Sequence, residues 1–450
     1  MRFEGDGSGI EDLTWGQWAA WGSMQGSGRS EANGGAIPLP EGTTVEEIAN
    51  LLGFIMSRHQ SLRTRLHYDA DGTPRQAVSG AGEIALEVVD AADDEDPAEV
   101  AEALRARYED TNFDHVNEWP VRMAVVRHHG AISHFVAMYP HIAIDGYGFE
   151  ALVNDLANLD RATGRHLAPV AGTQPLEQAR QQRTPAARRQ HDASLRRWEK
   201  QLRTIAPRRY RDSPDKRAPR WWEASYNSPA TYLALAAVAA RTKVHTGPIL
   251  LAAHAVLLAR TTGNNPSVLR VLVSNRFRPG FAESVSALAQ SALCVIDVAD
   301  CTFDEAVARA WKSLLTAGLH AYYDPRRLWD LIDRVNEERG VEVDTMCYYN
   351  DRRRSIAQAA TGPVPTEDQL RAALPLGKLR WGPPTDVPDA GCYLHINSVP
   401  DTIDYTLRVD THCISPAEME ACLRGLESVI VEAAFDPALS TGVRSMPAPV

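Results

Sequence analysis

A predicted strand, a short loop and a predicted helix follow one another between residues 131 and 159, and this order constrains the fold most strongly. The apolar run at 131–139 has the length and composition of a strand that is buried on both faces. From Phe149 to Leu159, apolar residues recur at helical spacing instead. We therefore expect an α/β protein that holds the loop at 140–148 between two packed elements.

That loop carries groups suited to moving a proton. His141 has the side chain whose ordinary pKa lies nearest neutrality. Asp145 follows four residues later, and Gly146 and Gly148 permit a tight turn. Functional residues concentrate in loops that a rigid scaffold positions. Acyl transfer is one reaction that such a loop suits, although this spacing arises by chance in roughly one chain of ordinary composition in twenty.

Length and composition describe an ordinary globular protein. A chain of 450 residues suggests two or three domains, most simply two of about 200 residues. No stretch approaches the ~20 apolar residues that span a bilayer. The first six residues lack the apolar core of a signal peptide. We expect a cytoplasmic protein that has no membrane partner.

Several chemical classes lack the motifs that they require. The six cysteines form no C-x-x-C pair, which indicates buried thiols rather than a metal site or a disulfide framework. Neither G-x-x-x-x-G-K-[ST] nor a helix-opening G-x-G-x-x-G occurs, so nucleotide binding has no support. The serine hydrolase elbow G-x-S-x-G is also missing.

The net charge of −11 conceals a strong asymmetry. Residues 180–220, the basic band, hold fourteen basic and four acidic residues, a net +10, so the rest of the chain carries −21. Such a band suits an acidic protein partner or a phosphate-bearing ligand. A solvated linker helix explains it equally well. Nucleic acid is disfavoured because the overall charge is negative and no recognition motif accompanies the band.

Patterns along the chain predict two α/β halves joined by a basic linker. Thr44 and Glu47 form a capping box that starts a helix, and Ser415 and Glu418 start the last helix in the same way. Residues 66–78 have the pattern of a hairpin. Further helices are predicted at 98–108, 229–241, 247–260 and 303–319, and strands at 121–128, 268–274, 343–350, 391–399 and 402–410.

Five segments in order resemble the motifs of one family. Leu13 to Trp18 is similar to its opening motif, and Arg58 to Thr64 matches R-H-E-x-L-R-T with Gln60 for Glu. His141 to Gly146 matches H-H-x-x-x-D-G without the first histidine, which is Pro140 here. Trp198 lies in a helix similar to the one with Y-W-x-x-x-L, and 274–276 resembles A-N-R. The chain thus resembles a nonribosomal peptide synthetase condensation domain, of the chloramphenicol acetyltransferase-like superfamily.

The resemblance implies an α/β fold of two acetyltransferase-like halves that form a V-shaped pseudo-dimer with a central tunnel to His141. The halves would be residues 1–170, with the H-x-x-x-D-G motif, and 229–450. Residues 171–228 would be the basic linker and connecting helix. Substrate selection is expected from tunnel-lining residues at 343–350 and 391–399.

The same resemblance assigns roles to the motif residues. His141 would deprotonate or position the nucleophile, and the N–H of Gly146 would bind developing negative charge. Asp145 would form a structural salt bridge with Arg276 or, as second choice, Arg58. Tyr147 and Gly148 would line the substrate tunnel.

Each assignment has a plainer alternative. In these alternatives, Arg276 ends a strand at the surface, Asp145 only forms a turn with Gly146, and Trp198 only packs in the core. Likewise, Arg58, His59 and Arg63 belong to an exposed helix end.

The resemblance implies no metal and no bound cofactor, because a partner carrier protein supplies the phosphopantetheine arm. No adenylation domain fits in the remaining length and no G-G-x-S carrier site occurs, so we expect a stand-alone, monomeric enzyme that meets its carriers in trans. It would join an acyl thioester to an amine or, less readily, an alcohol, and a small-molecule acceptor is possible. The alternatives are a coenzyme A-dependent acyltransferase and a non-catalytic module that binds a carrier-tethered intermediate.

Overall fold

Two compact units make up the chain. The structure, a computed structural model, describes residues 1–161, 163–353 and 364–445. The first unit contains Met1–His191 together with Ser274–Gln290, and the second contains Asp192–Val273 together with Ser291–Val450. Both mix helices with sheets, which confirms the predicted α/β class. The V-shaped arrangement and the tunnel stay predictions.

The first unit contains three small sheets. The four-stranded sheet has the order β3-β9-β8-β7, the three-stranded sheet the order β2-β5-β4, and β1 pairs with β6. Strand β9 pairs antiparallel with both β3 and β8, so it is central, as its apolar sequence predicts. The strands are β1 (Arg2–Glu4), β2 (Gly9–Asp12), β3 (Asn33–Pro38), β4 (Thr64–Tyr68), β5 (Pro74–Val78), β6 (Ala81–Glu83), β7 (Glu87–Asp90), β8 (Arg122–His128) and β9 (Ala131–Tyr139).

Helices of the first unit begin at well-formed caps. The predicted capping box of Thr44 and Glu47 is confirmed, and Asp96 caps another helix through the N–H of Ala98. The helices are α1 (Trp15–Ser27), α2 (Val45–Arg58), α3 (Pro97–Asp110), α4 (Gly146–Asp155) and α5 (Pro175–Gln182), followed by α6 (Pro185–Thr204), in which the division between the two units falls.

The second unit is built on one seven-stranded sheet of order β12-β11-β13-β15-β16-β10-β14. Strand β13 lies parallel to β11 and to β15, while β16 runs antiparallel to β15 and to β10. The strands are β10 (Trp221–Ser228), β11 (Ser267–Val273), β12 (Gln290–Ile296), β13 (Cys347–Asp351), β14 (Lys378–Trp381), β15 (Cys392–Val399) and β16 (Thr402–Asp410).

Six further helices belong to the described part of this unit. The predicted cap of the last helix is confirmed, since Ser415 accepts the N–H of Glu418 and the Glu418 carboxylate accepts the N–H of Ser415. Trp198 on α6 is buried in a core with Leu202 and Tyr323, which confirms its packing role. The helices are α7 (Pro229–Thr242), α8 (Thr246–Thr262), α9 (Phe303–Leu319), α10 (Pro325–Arg339), α11 (Glu367–Ala373) and α12 (Pro416–Phe435).

The unit boundaries differ from the predicted boundaries of the halves. Residues 274–290 lie within the predicted C-terminal half, yet they belong to the first unit. The reason is hydrogen bonding, since the N–H groups of Leu288 and Ala289 donate to the carboxylate of Asp145. In addition, a methyl group on Gly16 would meet the carbonyl of Ala287, so α1 approaches this segment closely.

Two further expectations concern cysteines and membranes. All six cysteines are free, and four of them are buried. In the described ranges, no helix by itself is both long and apolar enough to cross a membrane; α7 and α8 meet that criterion only as a pair, bent by 106°.

Candidate functional site

The loop that carries His141 begins where β9 ends. Tyr139 is the last residue of β9 and lies opposite Asn33 of β3. Pro140 therefore follows the strand at a position where its missing N–H costs no ladder hydrogen bond. The N–H of Ala143 donates to the Pro140 carbonyl at 2.9 Å, and the N–H of His141 donates to the Ser30 carbonyl at 3.2 Å. These two bonds fix the backbone on both sides of the imidazole.

The imidazole of His141 is half-buried, and one of its nitrogens has a backbone partner. Nδ1 lies 3.3 Å from the carbonyl oxygen of Ile144, and a carbonyl can only accept, so the proton belongs on Nδ1. Within the described ranges, no group of the protein hydrogen bonds to Nε2. The arrangement leaves the Nε2 lone pair available to accept a proton.

Asp145 is directed away from that chemistry. Its side chain caps α4, where Oδ1 accepts the N–H of Gly148 at 2.7 Å. Oδ2 accepts the N–H groups of Leu288 at 2.7 Å and Ala289 at 2.8 Å. The residue is only 2% exposed. The carboxylate therefore binds backbone groups and does not orient the imidazole.

Arg276 is the cation that accompanies this carboxylate. Its Nη2 lies 3.0 Å from Oδ1 of Asp145 and also donates to the carbonyls of Ser284 and Ser286, each at 3.1 Å. The guanidinium thus connects the H-x-x-x-D-G loop to its own segment, 274–290. It lies inside the first unit rather than ending a strand at the surface.

Arg58, the second candidate partner of Asp145, binds a different carboxylate. Its guanidinium makes two hydrogen bonds of 2.7 Å to Asp155, the last residue of α4, and Nε2 of His59 lies 3.0 Å from the same carboxylate. Burial disfavours the charged form of Asp155, but the bonds from His59 and Arg58 outweigh it, so its pKa lies well below the ordinary value. Burial lowers the pKa of His59.

The alternative of an exposed helix end at 58–63 is wrong. Arg58, His59 and Arg63 are all buried, and Arg63 donates to the carbonyls of Gly7 and Ser79. Together with Asp145 at its N-terminus, Asp155 fixes helix α4 at both ends.

The two glycines of the motif lie in different surroundings. No atom lies within 4 Å of the position that a methyl group on Gly146 would take, and the residue is exposed. A methyl group on Gly148 would lie 2.7 Å from the Ser286 carbonyl oxygen and 2.8 Å from Nη2 of Arg276. Gly146 leaves open space beside the loop, whereas Gly148 allows close packing of α4 on the 274–290 segment. Tyr147, between them, is half-buried.

A small cavity lies behind the loop, and the sequence gives no sign of it. Its volume is about 20 Å³, enough for one water molecule, and Ile142 and Ala143 form one wall. His115 also lines this cavity. Its Nε2 lies 3.2 Å from Oγ of Ser30, whose carbonyl binds the backbone of His141. Burial lowers the pKa of His115 to about 4, so it is neutral near pH 7.

A comparison with protein families identifies the family of the chain that carries this loop. Residues 36–366 match the family described as the condensation domain. The chain is a member of the condensation-domain family. The matched range contains the 58–64 element, residues 141–146 and the whole 274–290 segment.

Individual relatives and solved structures are also similar to this condensation domain. Nonribosomal peptide synthetase kk1B of Curvularia clavata is 25% identical over 293 residues, 63% of this chain. The chain spans about 2% of the length of the curated relatives it matches. SgcC5 of Streptomyces globisporus has the same fold, with a TM-score of 0.72 at 20% identity over 95% of this chain and 100% of that one. The X-domain from teicoplanin biosynthesis gives 0.71 at 19% identity, over 97% of both chains.

The described part of this condensation domain brings no three metal-ligating side chains together. The sequence pointed to His141, Asp145, Gly146 and Arg276, and the structure brings Asp145 and Arg276 into contact. It could not point to His115, which lies in no recognisable motif.

Proposed function

We propose that this condensation domain joins an acyl thioester on a carrier protein to an amine or alcohol acceptor, with His141 as the general base. The observation that carries the proposal is the state of the imidazole. Nδ1 faces the Ile144 carbonyl, and Nε2 is available for a substrate proton. A positioned general base contributes about 10²–10⁴-fold to such a reaction.

The reaction needs one proton acceptor and one site for negative charge. Nε2 of His141 takes the proton of the acceptor N–H or O–H as that atom attacks the thioester carbonyl carbon. The new C–N or C–O bond forms, negative charge collects on the carbonyl oxygen, and collapse of the intermediate breaks the C–S bond. The imidazolium then returns its proton to the leaving thiolate, so atoms and charge balance.

Gly146 is the candidate donor for the charged oxygen. It is the first residue of α4, so no carbonyl within the helix accepts its N–H. The helix N-terminus also carries partial positive charge, which favours an anion there. Because the space beside Gly146 is open, a carbonyl oxygen can reach this N–H.

A carrier protein is the proposed source of the thioester, with its phosphopantetheine arm as part of the substrate. The basic band supports an acidic partner, since Arg196 and Lys200 on α6 are exposed and form no ion pair within the described ranges. Coenzyme A carries the same arm, so a coenzyme A-dependent acyltransferase is the alternative donor class. An alcohol acceptor is supported by SgcC5, which was solved with (R)-1-(2-naphthyl)-1,2-ethanediol.

The test supplies acyl carrier protein and acyl coenzyme A separately, each with amine and alcohol acceptors, and detects products by mass spectrometry. We expect product with the acyl carrier and a loss of at least ~100-fold in His141→Ala. His134→Ala, which alters another half-buried histidine on β9, is the matched control and should keep wild-type turnover. Unchanged turnover in His141→Ala would overturn the proposal.

A second candidate is a recruitment module that binds a partner without catalysis. It is favoured by the likeness to the teicoplanin X-domain, which was also solved in complex with OxyB. In that case no donor would give product, while a carrier-tethered intermediate would still bind. The intact His141 with its available Nε2 makes the enzyme the preferred proposal.

A further inference from the structure

The seven-stranded sheet of the second unit has two different faces. One face is covered by α7, α8 and α12 and is apolar. Strand β15 contributes Leu394 and Ile396 to it, and β16 contributes Leu407. Because side chains alternate along a strand, the residues between them point to the opposite face.

The opposite face is apolar only at one end. There, α6 and α10 pack on β11 and β12 through residues such as Trp198, Leu331 and Leu293. Over β13, β15 and β16 the same face carries polar and aromatic side chains instead, among them Tyr348, Tyr393, His395 and Thr406. A polar second face is ordinary for a sheet that packs a core on one side only, so the distinguishing feature here is how these side chains are arranged and not their polarity.

Five of these side chains form a continuous row, which we call the cation–aromatic row: Arg270, Tyr348, Tyr393, His395 and Arg352. The Arg270 guanidinium lies 5.0 Å from the ring centre of Tyr348, and the ring centres of Tyr348 and Tyr393 are 5.1 Å apart. The rings of Tyr393 and His395 are 4.0 Å apart, and Nη2 of Arg352 lies 3.1 Å from Nε2 of His395. The row thus has aromatic rings in its middle and a cation at each end.

His395 has a buried ring nitrogen, Nδ1, with no hydrogen-bond partner among the described residues. A guanidinium only donates, so Nε2 of His395 accepts from Arg352 and the ring proton lies on Nδ1. His395 is 3% exposed, and its Nδ1 has no hydrogen-bond partner in the part of the chain that the structure describes. Burial lowers the pKa of His395 to about 2, so the ring is neutral. An unpartnered buried donor destabilises the fold unless a ligand meets it.

The two arginines of the row also lack anions. Within the described ranges, neither Arg270 nor Arg352 forms an ion pair, and Arg352 is exposed. Arg408 on the same face is different, because it lies 3.0 Å from Glu223 and 3.2 Å from Asp389. Glu223 acts on Arg352 electrostatically without forming an ion pair with it. The row therefore carries guanidinium charge with no directly bound carboxylate beside closely spaced, tilted rings, which complements an anion attached to a ring.

We propose that the cation–aromatic row binds an aromatic carboxylate group of a condensation substrate, with its ring on Tyr348 and Tyr393 and its carboxylate on Arg352. This deepens the proposed function and rests on it for the identity of the ligand as a substrate. Offset aromatic pairing accounts for the ring, and a bidentate guanidinium–carboxylate pair accounts for the charge. The group belongs to either the acyl donor or the acceptor, and kinetics distinguish the two.

Direct binding tests the row without any turnover. The probes are phenylacetate, its uncharged amide phenylacetamide, and the non-aromatic acid cyclohexylacetate, measured by titration calorimetry and ligand-observed NMR. We expect phenylacetate to bind most tightly, and Arg352→Gln to weaken it at least ~10-fold while leaving phenylacetamide unchanged. Tyr393→Leu should weaken both aromatic probes about 2–10-fold. Arg408→Gln is the matched control and should bind as wild type does.

Two outcomes overturn the row proposal: no saturable binding of phenylacetate, or equal affinity in wild type, Arg352→Gln and Tyr393→Leu. Thermal unfolding of each variant checks that it folds, and Tyr348→Leu, which removes the other ring of the row, serves if Tyr393→Leu does not fold. His141→Ala should keep full affinity, so failure of the catalytic proposal leaves this binding result intact. In the reconstituted reaction, Arg352→Gln should raise KM for whichever substrate carries the aryl carboxylate, and an unchanged KM for both overturns the assignment to a substrate.

Discussion

Nη2 of Arg276 lies 3.0 Å from Oδ1 of Asp145, although 131 residues of chain separate the two. The same carboxylate accepts three backbone N–H groups, two of them from Leu288 and Ala289. The aspartate of the motif is therefore saturated with structural bonds. The histidine four residues earlier has a nitrogen, Nε2, with no protein partner in the described ranges, so the two motif side chains have separate roles.

Asp145→Ala should lower the free energy of unfolding by about 3–5 kcal/mol, because it leaves Arg276 and three N–H groups without their buried acceptor. Urea denaturation of the purified variant measures this. The matched control is Asp96→Ala, which removes another helix cap that is exposed and accepts one N–H. That control should cost about 1 kcal/mol. Equal losses in both variants would contradict the buried network.

Alanine at the two motif glycines should have opposite effects. Gly146→Ala should keep the wild-type melting temperature, because its methyl group meets no atom within 4 Å. Condensation activity should fall, since the methyl group enters the space that the substrate needs. Gly148→Ala should lose about 1–3 kcal/mol of stability, because its methyl group collides with the Ser286 carbonyl. Calorimetry and product assays separate the two; a destabilised Gly146→Ala would contradict this description.

Local patterns predicted much of this fold, and distant contacts explain what they missed. Capping boxes and apolar periodicity located the helix at 303–319 and β9, because neighbouring residues determine both. Strand β10 escapes prediction because its core-facing residues include Ala224 and Ser228, which give little apolar alternation. The bonds of the 274–290 segment to Asp145 connect residues that no local pattern relates.

In the candidate site, too, local sequence patterns predicted some features, and distant contacts determine the others. The motif at 141–146 indicated the base and the capping aspartate. Its sequence could not show that Asp155 rather than Asp145 binds Arg58, because one carboxylate caps the start of a short helix and the other ends it. His115 and His395 were missed because only burial by distant residues gives them their neutral state.

His115 should make the free energy of unfolding decrease as the pH is lowered from about 6.5 towards 4. Its pKa is about 4 in the folded protein and near 6.5 when unfolded, so the unfolded chain binds the extra proton between these values. The stabilisation is complete above pH 6.5 and is lost as the pH falls towards 4, by at most about 3 kcal/mol. His115→Gln should reduce the slope of unfolding free energy against pH in this window. A slope identical to wild type would refute the assignment.

Arg58→Gln should destabilise the protein by about 3–5 kcal/mol at pH 7, because Asp155 then keeps a buried charge without its bidentate partner. The folded-state pKa of Asp155 is depressed, so its contribution is present above about pH 4 and is lost as the pH falls further. The variant should lose part of this acid dependence. Arg105→Gln, in a surface ion pair on α3, is the control and should cost under about 1 kcal/mol in urea denaturation.

Both ends of α4 are bonded to distant parts of the first unit. The H-x-x-x-D-G loop therefore cannot be moved into another protein without those parts. An engineer who transplants residues 141–148 into a relative moves the histidine but leaves behind the Arg276 segment and the Arg58–His59 pair that hold its helix in place. A working chimera has to exchange three separate stretches of chain together, all of which belong to the first unit.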